Sequence, residues 1–183
     1  MKELSLNILD IAENSTKAGA SLVEILLVEE GNKLTLTIAD DGCGMSPEIA
    51  RNVTDPFYTT RTTRRVGLGL PLLKLAAEQT GGQMSLSSST DPESHGTKVC
   101  AVFYTDHIDA EPLGDTVSTV VTLVQGHPDT DFHFLHEKDG KELASLDTRE
   151  VRAVLGDDVP LSALPVLDWI GSALREQYED VSE

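Results

Sequence analysis

The sequence predicts an α+β fold, a two-layer sandwich in which helices cover one face of a mixed β-sheet, with a small α/β appendage at the C-terminal end. The first observation is the order of patterns in the first hundred residues, where helical periods and pairs of alternating segments follow one another. The second is that the alternating segments flank turn signals, as antiparallel hairpins do. Amphipathic helices and half-buried strands bury their apolar sides against each other, and this favours layers.

The N-terminal part of the chain is predicted to contain three helices and two strand pairs. The predicted elements are a helix over residues 2–18 closed by Gly19, strands over 21–29 and 33–39 around Gly31-Asn32, a short helix after Ser46-Pro47, a helix over 67–80 closed by Gly81-Gly82, and strands over 83–88 and 97–103. The boundaries follow from residues that cap helices or adopt tight turns, because serine accepts an amide hydrogen bond and glycine tolerates positive φ.

A change in charge divides the chain near Tyr104. Residues 1–103 hold 13 acidic and 9 basic side chains, whereas residues 104–183 hold 18 acidic and 5 basic ones, a net charge of -13. We therefore predict two domains, residues 1–105 and residues 106–183. The second is predicted to contain a helix over 115–125 capped by Asp115, a hairpin over 131–137 and 141–146 around Lys138-Asp139-Gly140, and helices over 148–155 and 165–178.

The composition excludes several classes of function. A net charge of -17 at pH 7 argues against general nucleic-acid binding, because contacts to phosphates supply most of that affinity. Cys43 and Cys100 are the only cysteines, too few for a disulfide framework or a multi-cysteine metal site. No run approaches the roughly 20 apolar residues that a spanning helix requires, and the first residues do not resemble a secretory signal. We expect a cytoplasmic protein with no membrane segment.

A polar stripe runs along the first predicted helix. Asn7, Asp10, Asn14 and Lys17 are spaced three, four and three residues apart, so they share one face, and apolar residues occupy much of the remainder. The stripe is consistent with a solvated helix edge and, equally, with a polar face turned toward a cleft. In a cleft, asparagine, aspartate and lysine together suit a divalent metal with a polyphosphate, since Mg²⁺ prefers oxygen ligands and often bridges phosphates.

Two glycine-containing segments and a group of arginines indicate an anion site. Asp40-Asp41-Gly42-Cys43-Gly44 follows a predicted strand, and Gly67-Leu68-Gly69-Leu70 opens a helix, whose N-terminus favours an anion. Arg61, Arg64 and Arg65 lie just before that helix in an otherwise acidic chain. Neither segment is an EF-hand or a Walker A loop, because the later ligands and the Gly-Lys-Ser/Thr sequence are missing.

The order of these motifs resembles the ATP-binding domain of the GHKL superfamily, which comprises gyrase-type topoisomerases, heat-shock chaperones, sensor histidine kinases and MutL-type repair proteins. Asp10 to Ala18 resembles its N box, Asp40-x-Gly42-x-Gly44 its G1 box, Asp55-Pro56-Phe57-Tyr58-Thr59-Thr60-Arg61 its F box and Gly67-Leu68-Gly69-Leu70 its G2 box. The similarity covers about residues 4–103 and is greatest to the histidine-kinase branch. It implies a Bergerat-type ATP-binding fold with ATP and Mg²⁺ as cofactors.

The resemblance also implies a role for each matched residue. Asn14 would bind Mg²⁺ and Lys17 would neutralise a phosphate. Asp40 would accept a hydrogen bond from the exocyclic amine of adenine, and Gly42 and Gly44 would let the base lie against the backbone. The remaining residues implied to contact the nucleotide are Phe57, Thr60, Arg61, Arg64, Gly67, Leu68, Gly69, Leu70 and Thr97, with the arginines in a lid. For Arg65, a solvated lid charge is an equally good interpretation.

Three functions remain open at this point. The first is a kinase module that phosphorylates a partner protein, because the N box begins so early that no phosphoacceptor hairpin is expected before it. The second is a slow ATPase acting as a conformational switch, with Asp10 as the general base one turn before Asn14. The third is a non-catalytic ATP-binding regulator. The enzymatic activity is thus left undecided between phosphotransferase and ATPase, and a homodimer is one arrangement that the resemblance allows.

Three further expectations concern individual residues and the tail. None of the five histidines has the sequence context of a phosphoacceptor, and His136 is interpreted as an edge-strand histidine. Cys43 is interpreted as a buried, inert thiol in preference to a redox gate. The acidity of residues 106–183 suits a basic partner surface or solubility alone, and we favour solubility.

Overall fold

The structure is a computed structural model that describes residues 3–55, 57 and 68–182. In chain order its elements are α1 (Leu4–Lys17), β1 (Leu22–Glu30), β2 (Lys33–Asp40), α2 (Pro47–Asn52), α3 (Gly69–Gln79), β3 (Gln83–Ser89), β4 (Gly96–Tyr104), α4 (Thr116–Gly126), β5 (Asp131–Lys138), β6 (Lys141–Asp147), α5 (Thr148–Leu155) and α6 (Leu164–Asp180). Each predicted helix and strand is present, with bounds that differ by two residues at most within the described ranges.

All six strands form one mixed sheet in the order β3-β4-β2-β1-β5-β6. The neighbouring strands pair antiparallel, with the exception of β1 and β5, which run parallel. The predicted α+β fold with a mixed sheet is confirmed. The turn between β5 and β6 has positive φ at Asp139 and Gly140, +48° and +79°, as a two-residue hairpin turn of the predicted kind requires.

One face of the sheet forms the core. Strand residues alternate between buried and partly exposed, and the register places Ile25 of β1 beside Ile38 of β2 and Phe134 of β5, all of them buried. Four helices cover this face in the order α3, α1, α4, α6, each in contact with the next. The central helix α1 packs on β1 and β2 and lies between α3 and α4. These contacts fix its position relative to the ends of the strands.

The segment after residue 105 extends the same sheet and the same helix layer. Its strand β5 pairs with β1 along eight residue positions, from Leu22 opposite Asp131 to Glu29 opposite Lys138. Its buried side chains Phe132 and Leu123 belong to one core cluster with Ile8 of α1. The predicted division into domains at 105/106 stays a prediction, and in the structure the two segments share one core.

The position of β5 corrects one expectation about His136. This strand lies between β1 and β6, so His136 is in the interior of the sheet and is 3% exposed, and its interpretation as an edge-strand histidine is wrong. Among the described residues, no helix combines the length and the apolar character that crossing a membrane requires.

Candidate functional site

The carboxylate of Asp40 joins three parts of the fold. Its Oδ2 accepts a hydrogen bond from Ser15 Oγ at 2.6 Å, and its Oδ1 accepts from the backbone N–H of Gly42 at 2.9 Å and of Thr97 at 3.3 Å. A carboxylate offers about four acceptor positions. The protein therefore occupies three of them and holds the group in a fixed orientation, with one position left for a donor from outside.

Local structure explains why these partners meet. Asp40 is the last residue of β2, and Thr97 is its paired residue at the start of β4. Ser15 lies in the last turn of α1 and is 3% exposed. Burying its hydroxyl without a hydrogen-bond partner would destabilise the fold. The bond to Asp40 satisfies this hydroxyl and ties the C-terminal end of α1 to the end of β2.

The loop after Asp40 packs tightly against its own protein. A Cβ atom at Gly42 would lie 2.9 Å from Ala18 Cβ, and one at Gly44, where φ is +71°, would collide with the carbonyl oxygen of Ser89. The Cys43 N–H donates to the Ala18 carbonyl at 2.9 Å. The two glycines are thus required by contacts within the fold. The implied contact with a base stays a prediction.

A histidine and a serine also hold this loop. The Nδ1 atom of His95 lies 2.7 Å from the carbonyl oxygen of Gly42, and since a carbonyl only accepts, Nδ1 carries the proton. Ser88 Oγ accepts from the Met45 N–H at 2.8 Å and lies 2.7 Å from Thr97 Oγ1. The loop is therefore fastened to β3 and to the turn that connects β3 with β4.

Sequence reasoning missed three residues of this network. Ser15 follows Asn14 directly, and a serine within a buried helix was a signal that could have been used. His95 precedes Gly96-Thr97, at the start of the strand that carries Thr97. Ser88 stands in a serine-rich segment, and nothing in the pattern distinguishes it from its neighbours.

One polar residue of α1, Asp10, lies beside the start of α3. Asp10, Asn14 and Lys17 are all exposed. A Cβ atom at Gly69 would lie 3.2 Å from Asp10 Cβ, so the first residue of α3 packs directly on α1 at this aspartate. A larger residue in place of Gly69 would move the two helices apart. The close contact brings the glycine-rich segment to the polar stripe.

The N-terminus of α3 has features of an anion site. Leu68 is at the N-cap position and provides no side-chain hydrogen bond, and the first turn contains no acidic residue. The backbone dipoles at such an end favour negative charge. Leu70 is buried in the core with 8% exposure, so its backbone, and not its side chain, faces any ligand here.

Glu13 and Lys17 belong to a network on the side of α1. The Lys17 Nζ atom is 3.8 Å from Glu13 Oε2, and Glu13 Oε1 is 2.8 Å from His127 Nε2. Glu13 is therefore engaged with the residue that follows α4. The exposed ammonium of Lys17 makes only a long, solvated ion pair, which is weak.

Several predicted residues are not brought to this site by the described structure. Phe57 is 91% exposed, and its N–H donates to Asp55 Oδ1. Thr60, Arg61, Arg64, Arg65 and Gly67 lie outside the described residues. The interpretation of Cys43 as a buried thiol is wrong, because Cys43 is exposed while the backbone beside it makes the loop contacts.

The chain matches one family profile over more than half of its length. Residues 1–107 match the profile described as histidine kinase-, DNA gyrase B-, and HSP90-like ATPase. An uncharacterised sensor-like histidine kinase of Rhizobium meliloti (strain 1021) is 32% identical over 110 residues, which cover 57% of this chain and 20% of that protein. The chain thus spans about a fifth of the length of this curated relative.

Two solved structures share the fold. The N-terminal domain of a DNA repair protein superposes with a TM-score of 0.57 at 17% identity, over 80% of this chain and 53% of the other. The MutL ATPase domain of Aquifex aeolicus, complexed with ADP, gives a TM-score of 0.51 at 15% identity, over 81% and 66% of the two chains. At these identities the likeness is one of fold.

Proposed function

The chain belongs to the histidine kinase-, DNA gyrase B- and HSP90-like ATPase family, and from that premise we propose that it binds Mg-ATP and acts on a partner protein as a histidine-kinase-like catalytic module in signalling. The observation that carries the nucleotide part is the fixed carboxylate of Asp40, hydrogen-bonded from α1, from the following loop and from β4. A carboxylate at the end of a strand, held by three donors, is arranged to receive a fourth.

The remaining acceptor position of Asp40 favours adenine. The exocyclic amine of adenine is a donor, whereas guanine presents a carbonyl oxygen at the same ring position and would face a carboxylate with an acceptor. Such a site discriminates strongly between adenine and guanine, because the wrong base leaves a polar group unpaired. Ser15 fixes the carboxylate through its hydroxyl and Thr97 through its backbone N–H, and both support the selectivity. Thr97 is also proposed to contact the nucleotide.

The phosphate side of the nucleotide is proposed to lie between α1 and the start of α3. Asn14 would hold Mg²⁺ through its side-chain oxygen, and Lys17 would add positive charge. The backbone N–H groups of Gly67 and Gly69 would donate hydrogen bonds to phosphate oxygens. Among the described residues no cluster of three or more His, Cys, Asp or Glu side chains could hold a metal by itself. Mg²⁺ would neutralise phosphate charge and take most of its ligands from phosphates and water.

The other proposed nucleotide contacts follow the family resemblance. Gly42 and Gly44 would bring their backbone close to the base, Leu68 and Leu70 would contribute backbone atoms, and Phe57, Thr60, Arg61 and Arg64 would form the closing side of the site. An acidic chain that binds a triphosphate requires local positive charge, and the arginines would provide it.

Four of the five histidines are buried or held in side-chain contacts, which favours a phosphoacceptor on another protein. His136 is buried, His127 contacts Glu13, His133 contacts Glu24 and His95 donates to Gly42. His107 is exposed in a turn near Asp109. The similarity to a sensor-like histidine kinase supports a protein as the acceptor.

A slow ATPase is the second candidate, favoured by the position of Asp10. Its Cβ is the nearest atom to a Cβ built on Gly69, and this proximity supports the proposal that its carboxylate lies near the phosphate site. General-base assistance contributes about 10²–10⁴-fold to a rate. If the protein hydrolyses ATP, Asp10→Asn should lower the rate of hydrolysis by a factor in this range.

The nucleotide proposal is tested by titrating a fluorescent ATP analogue with Mg²⁺ into the wild type, Asp40→Asn and Asp41→Asn. Asp41 is the matched control, because it accepts from the Ser21 and Leu22 amides on the outside of the fold. Asp40→Asn should weaken binding at least about 10-fold, the range for a hydrogen bond to a charged group. Equal affinity in both variants, or no affinity in the wild type, contradicts the proposal.

The activity is tested with γ-labelled ATP and cell extract. A labelled protein band supports the kinase module, and released phosphate that Asp10→Asn abolishes supports the ATPase. Nucleotide binding with neither product indicates a non-catalytic regulator and would rule out both enzymatic activities.

A further inference from the structure

A second concave site lies at the opposite end of the sheet from β3. It is a pocket of about 710 Å³ lined by residues of β5, β6, α5 and α6, all of which belong to the segment after residue 105. Its volume falls in the range of sites that bind ligands or partner side chains. None of the described residues proposed for nucleotide binding lines it.

The apolar side of α5 borders this pocket and is only partly covered, since Val151 and Leu155 pack against the core and Val154 does not. The pocket is lined by Val151 and by the residues three and four positions later, Val154 and Leu155, which lie on the same side of the helix. The only fully buried residue of α5 is Thr148. Val154 is 87% exposed. A helix whose apolar stripe is this exposed is normally completed by another element.

Trp169 of α6 continues the same apolar surface. It lines the pocket and is 57% exposed, although a tryptophan side chain buries a large area where it can. Exposed aromatic side chains that border a pocket are typical of anchor points in protein interfaces.

The charged groups in the pocket lining are acidic. Among the described residues, Glu142, Asp147 and Glu150 line it, and no lysine or arginine does. Arg149 pairs with Asp147 at the rim, which leaves Glu142 and Glu150 without a basic partner among the described ion pairs. The whole segment from residue 104 carries a net charge of -13, so the long-range field around the pocket is negative.

The edge of β6 is closed to a further strand at its centre. The Ser145 N–H donates to Gln177 Oε1 at 2.7 Å, and Gln177 Nε2 donates to the Ser145 carbonyl at 3.1 Å. The side chain of Gln177 thus takes the place of a neighbouring strand. This contact disfavours the addition of a partner strand at the centre of β6.

We propose that this surface docks a basic, amphipathic helix of a partner protein, with its apolar side on Val154 and Trp169 and its lysines or arginines toward Glu142 and Glu150. Apolar contacts of this kind supply affinity, and the opposite charges increase the association rate and the selectivity. A second copy of this chain would bring another net charge of -17 to an acidic rim, and an anionic membrane would be repelled in the same way.

Trp169 makes the test site-specific, because it is the only tryptophan in the chain. The probe is a two-heptad helical peptide of leucine and lysine with no aromatic residue, titrated into the full chain in the absence of nucleotide. Burial of Trp169 should shift its fluorescence emission to shorter wavelength in a saturable manner. Because no ATP is present, this result is independent of the proposed nucleotide binding.

Two protein variants separate docking from general attraction. Val154→Glu should weaken peptide binding about 10-fold or more, the effect of losing an interface anchor. Ile108→Glu introduces the same charge at a residue that is 94% exposed outside the pocket and should bind as the wild type does. Both side chains are exposed, so neither change removes core packing.

Three outcomes would overturn the proposal. The first is equal binding of a peptide in which serine replaces every leucine, since charge alone would then suffice. The second is equal affinity of Val154→Glu and Ile108→Glu. The third is a wild-type dimer in sedimentation velocity that Val154→Glu dissociates, because a second copy would then occupy the surface.

Discussion

At the scale of single residues, the chain fixes its polar groups through buried partners that come from distant parts of the sequence. Ser15 orients Asp40, and His136 is held between Glu29 and Tyr178. The Nδ1 atom of His136 is 2.8 Å from Tyr178 Oη and Nε2 is 2.9 Å from Glu29 Oε1. A buried histidine whose pKa is shifted makes the stability of the fold depend on pH.

The pKa of His136 provides a prediction about pH. Burial lowers the pKa of this imidazole, with Lys138 acting in the same direction and the Glu29 carboxylate opposing it. The folded protein therefore holds His136 neutral at a pH where the unfolded chain already binds a proton. Stability should fall as the pH decreases below the ordinary histidine pKa of about 6.5, by at most about 1.4 kcal/mol per pH unit for this one proton.

The measurement is urea unfolding between pH 7.5 and pH 5.5 for the wild type, His136→Gln and His133→Gln. Replacing His136 should reduce the loss of unfolding free energy at the lower pH. His133 lies on the same strand and is only half-buried, so its replacement is the control. It should leave the decrease in unfolding free energy at the lower pH unchanged. A His136→Gln protein with the wild-type pH dependence would show that another group is responsible.

At the scale of helices and strands, the sequence pattern is informative wherever a boundary depends on local chemistry. Asp115 predicts the start of α4, and its carboxylate accepts from the Ser118 N–H at 2.9 Å. Asp139-Gly140 predicts a tight hairpin and has the two positive φ angles of one. These features involve neighbours within a few residues, so the sequence contains the information directly.

The pairing between β1 and β5 could not be predicted in the same way. An alternating pattern shows that a strand has one buried face, but it is the same for a parallel and for an antiparallel neighbour. The hydrogen bond from Ser15 to Asp40 spans 25 residues and depends on how α1 sits on the sheet. The candidate site was therefore predicted by its motifs, whereas the residues that orient those motifs required the structure.

The cap of α4 gives a prediction at this scale. Replacing Asp115 with alanine removes the acceptor for the Ser118 amide and should lower the free energy of unfolding by about 1 kcal/mol. Asparagine accepts the same hydrogen bond, so Asp115→Asn should retain most of the stability. Chemical denaturation of the three proteins measures both effects. Equal losses in the two variants would attribute the effect to the charge of Asp115 and not to capping.

At the scale of the whole molecule, the family match and the folded unit have different extents. The match ends at residue 107, whereas the sheet continues through β5 and β6. Without those strands β1 would become an edge, and Ile25 and Leu27, which are fully buried, would lose the neighbours on that side. The cooperative unit should accordingly be the sheet of six strands and not the matched region alone.

A protein ending at residue 107 tests this directly. We expect it to lack a cooperative unfolding transition and to associate through the exposed β1 edge, because an unpaired strand with an apolar face is a template for aggregation. A protein ending at Asp180 retains all the described helices and strands and should unfold as the full chain does. The measurement is denaturant unfolding followed by circular dichroism, with light scattering for association. A cooperative transition in the shorter protein would establish residues 1–105 as an independent domain, because only a self-sufficient core unfolds in one step.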